Sequence, residues 1–380
     1  MNTVKILHCA DIHIGAALSF LGDTAAQRKY ETLLTFERIM DTAGKEDVQI
    51  IAAAGDIFDS NKAEDEFVNA VFKKIASVPD IKVVLSAGNH APLSADSPFK
   101  NRELPQNLFV LGEKDDCIIF DDIKTRVYGR SFGDVYLKGE KSFSITPPND
   151  DYVNLMVLHG ELRSDLNTNY NSVTADFIKE SGMDYIALGH VHKHTEPQKI
   201  GSTYYAYSGC PEGQGFDETD EKGVYIGEIG RGLCDLSFVP MSKRLHICER
   251  IDITGINSSL EISTAVVNVL REKYGTQYGE NLYKIELTGN IKEDFNLNMT
   301  EVLSRVSEKV YFAKIKDRTE LLIDTEKLAN EISLKGLFVK NMLEKINNAP
   351  GEERAELENA LKLGLRAFGT EVAYDEDQKC

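Results

Sequence analysis

The run Ile50-Ile51-Ala52-Ala53-Ala54 is apolar at every position, and Gly55-Asp56 follow it without a break. A strand apolar on both faces belongs in the interior of a parallel sheet, covered on each side. Such sheets place ligands beyond the carboxyl ends of their strands, and Asp56 emerges at that end. A carboxylate there can bridge two metal ions if other strands bring matching donors.

Four more strands of this kind can be read. Val4 to Cys9 precedes Asp11-Ile12-His13-Ile14-Gly15, and Lys82 to Ala87 precedes Gly88-Asn89-His90. Tyr152 to Leu158 precedes His159-Gly160, and Tyr185 to Leu188 precedes Gly189-His190-Val191-His192. Between the first three strands, Leu33, Phe36 and Met40 predict a helix over about 25–42, and Phe67, Val71 and Ile75 another over about 62–77. From Leu108 to about Arg130 short apolar runs predict meandering strands, and Tyr136 to Asp151, with Pro147-Pro148, predicts a loop. Strands at 203–207, 223–229 and 236–240 complete a second group with few helices. The expected fold class is α/β: two packed β-sheets flanked by helices in four layers, with a smaller α+β capping domain and C-terminal helices.

The expected domains are residues 1–240, 241–325 and 326–373. In the second, strand-like segments at 247–253, 282–287 and 310–315 alternate with helical ones at 260–274 and 299–306. In the third, Leu334, Phe338, Met342 and Ile346 recur every four residues, and so do Leu357, Leu361 and Leu365 beyond Pro350-Gly351. These stripes either fold on each other or offer a docking surface to a partner. Tyr374 to Cys380 reads as a frayed polar tail.

No apolar stretch approaches the roughly 20 residues that span a bilayer, and no signal-peptide pattern opens the chain, so a cytoplasmic protein without a membrane partner is expected. Six scattered cysteines fit reduced thiols better than a disulfide framework. A formal net charge of -18 argues against a free-standing nucleic-acid binder, unless metals or a partner supply positive charge. Lys243, Arg244, Arg250, Lys124 and Arg126 are candidate phosphate contacts, with solvated surface as the default for each. Tyr204, Tyr205 and Tyr207 are read as strand packing.

Seven of the eight histidines lie in or beside the five strand-end segments. Carboxylate, carboxamide and imidazole donors converging from strand ends suit Mn²⁺, Fe²⁺ or Zn²⁺ rather than a thiolate-seeking metal. A lone D-x-H or H-x-H is usually unrelated surface chemistry; five segments in this order, each after an apolar strand, form a metal-centre pattern. His8 is read as a satisfied core residue and His194 as part of an exposed turn, and His246 is assigned nothing.

In these motifs the chain resembles the calcineurin-like metallophosphoesterases, whose pattern runs D-x-H, G-D-x-x-D, G-N-H-D/E, H, G-H-x-H. Within that superfamily it is similar to the SbcD and YhaO type of bacterial DNA repair exonucleases. That narrower likeness rests on Asp11 to Gly15, Gly55 to Asp59, Tyr207-Ser208-Gly209-Cys210-Pro211-Glu212-Gly213 and Glu221-Lys222-Gly223-Val224. The resemblance implies two divalent ions, with Mn²⁺ productive and Fe²⁺ or Zn²⁺ as alternatives. It implies that Asp11, His13 and His192 hold one ion, Asn89, His159 and His190 the other, and that Asp56 bridges them. A water shared by the two ions would then attack the phosphate in line, while His90 assists the leaving oxygen as catalytic residue. Asp59 is expected either to orient a ligand beside it or to cap the following helix. The implied function is a metal-dependent phosphodiesterase, a DNA exonuclease or endonuclease of a repair complex. DNA, a second copy of the chain and an SbcC-like ATPase with coiled coils are its implied partners. Alternatives are a small-nucleotide phosphodiesterase or phosphatase, and a weakly active scaffold subunit of an ATPase complex. Ala91 stands where the pattern has Asp or Glu, so His90 needs another partner, Asp96 or a backbone carbonyl, or else is less basic.

Overall fold

The structure, a computed structural model, describes residues 2–137, 146–164, 168–292, 295–322 and 325–368. Part of the predicted 136–151 loop, residues 369–373 and the tail from Tyr374 to Cys380 lie outside the described residues.

The alternation of apolar side chains builds two sheets. The first comprises β1 (Thr3–Cys9), β2 (Ile50–Ala53), β3 (Lys82–Leu85) and β4 (Leu108–Val110), all parallel. The second contains β5 (Asp116–Phe120), β6 (Thr125–Arg130), β7 (Val153–His159), β10 (Tyr185–Gly189), β11 (Gln198–Ile200) and β12 (Thr203–Tyr207). Short β8 (Glu161–Leu162) and β9 (Ser172–Val173) pair with each other. Strands β13 (Gly223–Gly230) and β14 (Leu233–Pro240) return to the first sheet, where β13 runs antiparallel beside β1. The orders are β14-β13-β1-β2-β3-β4 and β11-β12-β10-β7-β6-β5.

Two sequence expectations change here. The strands at 223–229 and 236–240 belong to the first sheet rather than the second, because the free edge of β1 takes β13. The meander from Leu108 starts as a parallel strand on β3, and only β5 and β6 form an antiparallel hairpin.

Period-two alternation separates the faces of each strand. Val4, Ile6, Ile50, Ala52 and Val84 pack with Val127, Leu155, Val157, Tyr185 and Ala187 of the second sheet in one buried layer. Leu7, Ile51 and Val83 face the other way, onto α1 (Ala25–Lys45) and α2 (Asp65–Ala76). In α2, Asp65 and Glu66 open the first turn and Lys73 and Lys74 close the last, complementing the helix dipole. A short α3 (Pro98–Asn101) follows, and α4 (Ala175–Glu180) covers the outer face of the second sheet through Ile178. These are two sheets flanked by helices, as the fold class predicts.

The chain divides into two compact units. One comprises Met1–Glu249, Leu270–Ile285 and Ser307–Lys314; the other comprises Arg250–Val269, Glu286–Val306 and the residues from Ile315 onward. The later elements are β15 (His246–Asp252), α5 (Ser259–Tyr274), β16 (Leu282–Thr288), β17 (Asn290–Lys292), α6 (Met299–Ser307), β18 (Phe312–Asp317) and β19 (Glu320–Leu322). Helices α7 (Thr325–Ala329), α8 (Leu334–Asn348) and α9 (Gly351–Ala367) share a core of Leu328, Val339, Ile346, Leu361 and Leu365, while Leu334, Leu337 and Leu363 stay exposed. Among the described residues no helix is long and apolar enough to cross a membrane.

Candidate metal centre

Every candidate donor in the sequence lies at or beyond the carboxyl end of a parallel strand, and all of them lie in the first unit. The backbone there is unusual. Asp11 (φ 53°), His13 (φ 51°), Asp56 (φ 46°) and His190 (φ 94°) are all left-handed, a conformation that costs a non-glycine residue roughly 1–3 kcal/mol. Its repetition at four of seven proposed donors marks a site where side-chain direction outweighs backbone comfort. Gly55 (φ 101°) lets the chain turn into Asp56, and a Cβ there would overlap the His159 ring.

Three donors converge on one side. His159 is fully buried, and its Nδ1 lies 2.9 Å from the Ala54 carbonyl, which fixes the proton on Nδ1. Its Nε2 then faces Asn89 Oδ1 at 2.9 Å and Asp56 Oδ2 at 3.1 Å. On the other side His13 Nε2 faces His192 Nε2 at 3.2 Å, with Asp11 in the same group. The Nδ1 atoms of these rings are committed elsewhere, to Asp59 Oδ1 at 3.1 Å for His13 and to Glu218 Oε1 at 2.6 Å for His192. The two Nε2 atoms are thus left facing each other, an arrangement a divalent cation accommodates. The donor set fits a metal pair with Asp56 between the two groups, because Asp56 belongs with Asp11 and His159 in one cluster and with His13 and His90 in another.

His190 is brought to the same place from β10. Its N–H donates to both oxygens of Asp11 at 3.1 and 3.0 Å, and its ring stands edge-on to His159 with centroids 5.1 Å apart. Burial and the neighbouring His159 lower its pKa. A cleft of about 590 Å³ opens beside it, lined also by His192, Asp217 and Glu218.

Asp56 is buried, which would raise its pKa, yet His159 holds it well below the usual carboxylate range. Conversely, burial disfavours a charged His159, but Asp56 pushes its pKa up to about 9. These opposite shifts describe one proton competing with metal for the same donors.

His90 is nearly half exposed, and its N–H donates to Asp56 Oδ1 at 3.0 Å. Its Nδ1 lies 3.3 Å from the Asp59 carbonyl oxygen and 3.5 Å from Asp59 Oδ1. The Asp59 side chain raises the His90 pKa, so the expectation of a less basic imidazole is corrected. Asp96 is not its partner, since it accepts from Ser94 at 2.5 Å and from Asn61 at 3.3 Å. Ala91 is buried against the α1 and α2 core, where a carboxylate would be desolvated. Asp59 does not cap α2 either: Glu64 occupies that position, without a side-chain cap bond.

The sequence reading missed Glu218, whose only advance signal was its place between two motif stretches, Gly213 and Glu221. The candidate phosphate contacts are each paired with a carboxylate, and Arg244 is the one that departs from a solvated surface position by being buried. Arg244 is buried and bound to Glu31 at 2.7 to 3.2 Å, and Lys243 pairs with Glu31 at 3.2 Å. Arg126 is bidentate on Asp150, Lys124 pairs with Asp151, and Arg250 pairs with Glu286. A carboxylate already neutralises each. His8 is a satisfied core residue, bonded to the Tyr185 hydroxyl and the Leu188 carbonyl. His194 stacks on Phe238.

The family described as calcineurin-like phosphoesterase matches residues 4–194. A DNA double-strand break repair protein Mre11 from Methanopyrus kandleri is 26% identical over 272 residues, covering 65% of this chain and 59% of that protein. The uncharacterized metallophosphoesterase YhaO of Bacillus subtilis is 28% identical over 254 residues, covering 63% and 60%. A Mre11 from Sulfolobus acidocaldarius is 22% identical over 317 residues, covering 79% and 78%. The matched regions thus span about three fifths of the length of the first two relatives.

Proposed function

The chain belongs to the calcineurin-like phosphoesterase family, and from that premise we propose that it is a two-metal phosphodiesterase acting on DNA. The observation that supports the metal reading is the convergence of metal-binding atoms, His13 Nε2 beside His192 Nε2 and Asp56 Oδ2 with Asn89 Oδ1 around His159 Nε2. In this reading Asp11, His13 and His192 hold one ion, Asn89, His159 and His190 hold the other, and Asp56 lies between. Two bound divalent ions would supply positive charge to the phosphate oxygens and lower the pKa of a coordinated water. The mixed oxygen and nitrogen set suits Mn²⁺.

The residues of the chain then divide the remaining work. His90, nearly half exposed beside His13 and raised in basicity by Asp59, carries a proton to the leaving oxygen. Asp59 holds the rings of both His13 and His90. The DNA reading is supported by the Mre11 relatives, whose names assign them to double-strand break repair. It extends to residues 241–325 as a DNA-positioning region, and to a second copy and a coiled-coil ATPase as partners. The exposed Leu334, Leu337 and Leu363 of residues 326–373 support a docked partner helix.

The test is hydrolysis of end-labelled linear duplex and single-stranded DNA with Mn²⁺, Mg²⁺ or EDTA, beside a bis-aryl phosphodiester and an Asp56→Asn control. Mn²⁺-dependent DNA degradation that is lost in the control is expected. Turnover of the small diester alone would replace DNA with a small nucleotide substrate, and turnover of neither with metal bound would favour a scaffold role.

A further inference from the structure

An imidazole that binds metal through Nε2 must keep its proton on Nδ1, and something must accept that proton. His159 uses a backbone carbonyl and His13 uses Asp59. For His192 the acceptor comes from far along the chain, a loop residue that no motif identifies. We propose that Glu218 is the positioning residue for His192, and that it sets the affinity of the Asp11–His13–His192 position for its metal ion.

Three observations carry this. The contact is short, with Glu218 Oε1 2.6 Å from His192 Nδ1, the length of a charge-assisted hydrogen bond. The carboxylate is itself immobilised: Oε2 accepts from the Gln214 N–H at 2.8 Å and lies 3.4 Å from Cys210 Sγ. Finally, the same segment holds the other end of the residue, because the His192 carbonyl accepts from Lys222 Nζ at 2.9 Å and from the Cys210 N–H at 3.2 Å. Residues 210–222 thus fix the ring and the backbone of His192 together.

The alternative, a separate metal site made of His192, Cys210 and Glu218, fits less well. His192 Nδ1 and Cys210 Sγ both direct their hydrogens at Glu218, so the three groups satisfy one another without an ion. Glu218 therefore acts through His192. A carboxylate on Nδ1 makes the imidazole a stronger donor and prevents the ring from turning away, effects that change metal affinity about 10- to 100-fold in such pairs.

The proposal rests on the two-metal reading, and calorimetric titration of the full chain with Mn²⁺ separates the two. Wild type is expected to bind two ions. Glu218→Ala is expected to weaken one of them about 10- to 100-fold and leave the other unchanged. Glu218→Gln, which keeps an acceptor for Nδ1 without the charge, is expected to lie between. Two wild-type affinities in both variants would overturn the role of Glu218 while leaving the metal pair intact. Loss of both ions in the near-isosteric Gln variant would make the residue a fold element and overturn it too. A wild type binding fewer than two ions would remove the two-metal reading and this proposal with it.

Discussion

Two groups of buried charge in the same unit differ in how they are balanced. Around α1, Arg28 meets Glu212 at 2.5 Å and Glu31 at 3.3 Å, and Arg244 meets Glu31, meets Glu280 at 2.8 Å and stacks on Tyr311. Cation answers anion at each step, and none of these residues takes a left-handed backbone angle. At the strand ends, donors face donors, and four residues take left-handed backbone angles to do so. The first group balances its charges internally, with only the Arg28 Nε left without a partner among the described residues of that group; in the proposed reading the second takes added positive charge. Burial of charge alone does not mark a functional site, whereas convergence of metal-binding side chains on strained backbone does.

The largest expected effect breaks the balanced group. Glu31→Ala leaves the Arg28 and Arg244 guanidiniums short of a buried partner and should cost about 3–5 kcal/mol in urea unfolding. Mn²⁺ stoichiometry should remain that of wild type; loss of metal would mean that the two groups are one system. Next, His90→Gln should lower diester hydrolysis about 10²-fold with both ions still bound, and a rate within twofold of wild type would remove the proton-transfer role. The metal itself should then stabilise the protein. Mn²⁺ at about 100 times its dissociation constant should add roughly 2.7 kcal/mol per site over the EDTA-treated protein, an increment that Asp56→Asn reduces and Glu31→Ala preserves.

The smallest effect concerns a third kind of buried polar group. His246 lies against Phe20 and Phe216, and neither ring nitrogen has a hydrogen-bond partner among the described residues. Burial and Arg28 lower its pKa to about 4 from 6.5. The unfolded chain therefore takes up this proton first, and stability falls as pH drops from about 6.5 toward 4. His246→Phe should remove about 1 kcal/mol of that loss at pH 5.5 and almost none at pH 8, as read by denaturation at both values. Equal effects at the two pH values would assign the change to packing.

The candidate metal centre was legible in the sequence because each proposed donor sits at, or within four residues of, the end of an apolar strand, so local pattern gives both the residue and its place. Ile50 to Ala54 shows this most plainly: an unbroken apolar run could only be an interior strand, and Asp56 could only follow it. What supports the donors was not legible. Glu218 reaches His192 across 26 positions; Asp59 was expected to orient a neighbouring ligand, but its contact with two rings at once depends on how loops close rather than on periodicity. Arg244 failed for a related reason. Its charge predicts a surface residue, and only the fold reveals Glu31, 213 positions away, as its buried partner. The placement of β13 beside β1 was equally hidden, since alternation identifies a strand without naming its neighbour.

The most direct test of the central claim is anomalous scattering at the manganese edge from crystals grown with Mn²⁺. The account predicts two peaks, one within reach of Asp11, His13 and His192 and one within reach of Asn89, His159 and His190, with Asp56 touching both. A single peak, or manganese bound outside these residues, would contradict it.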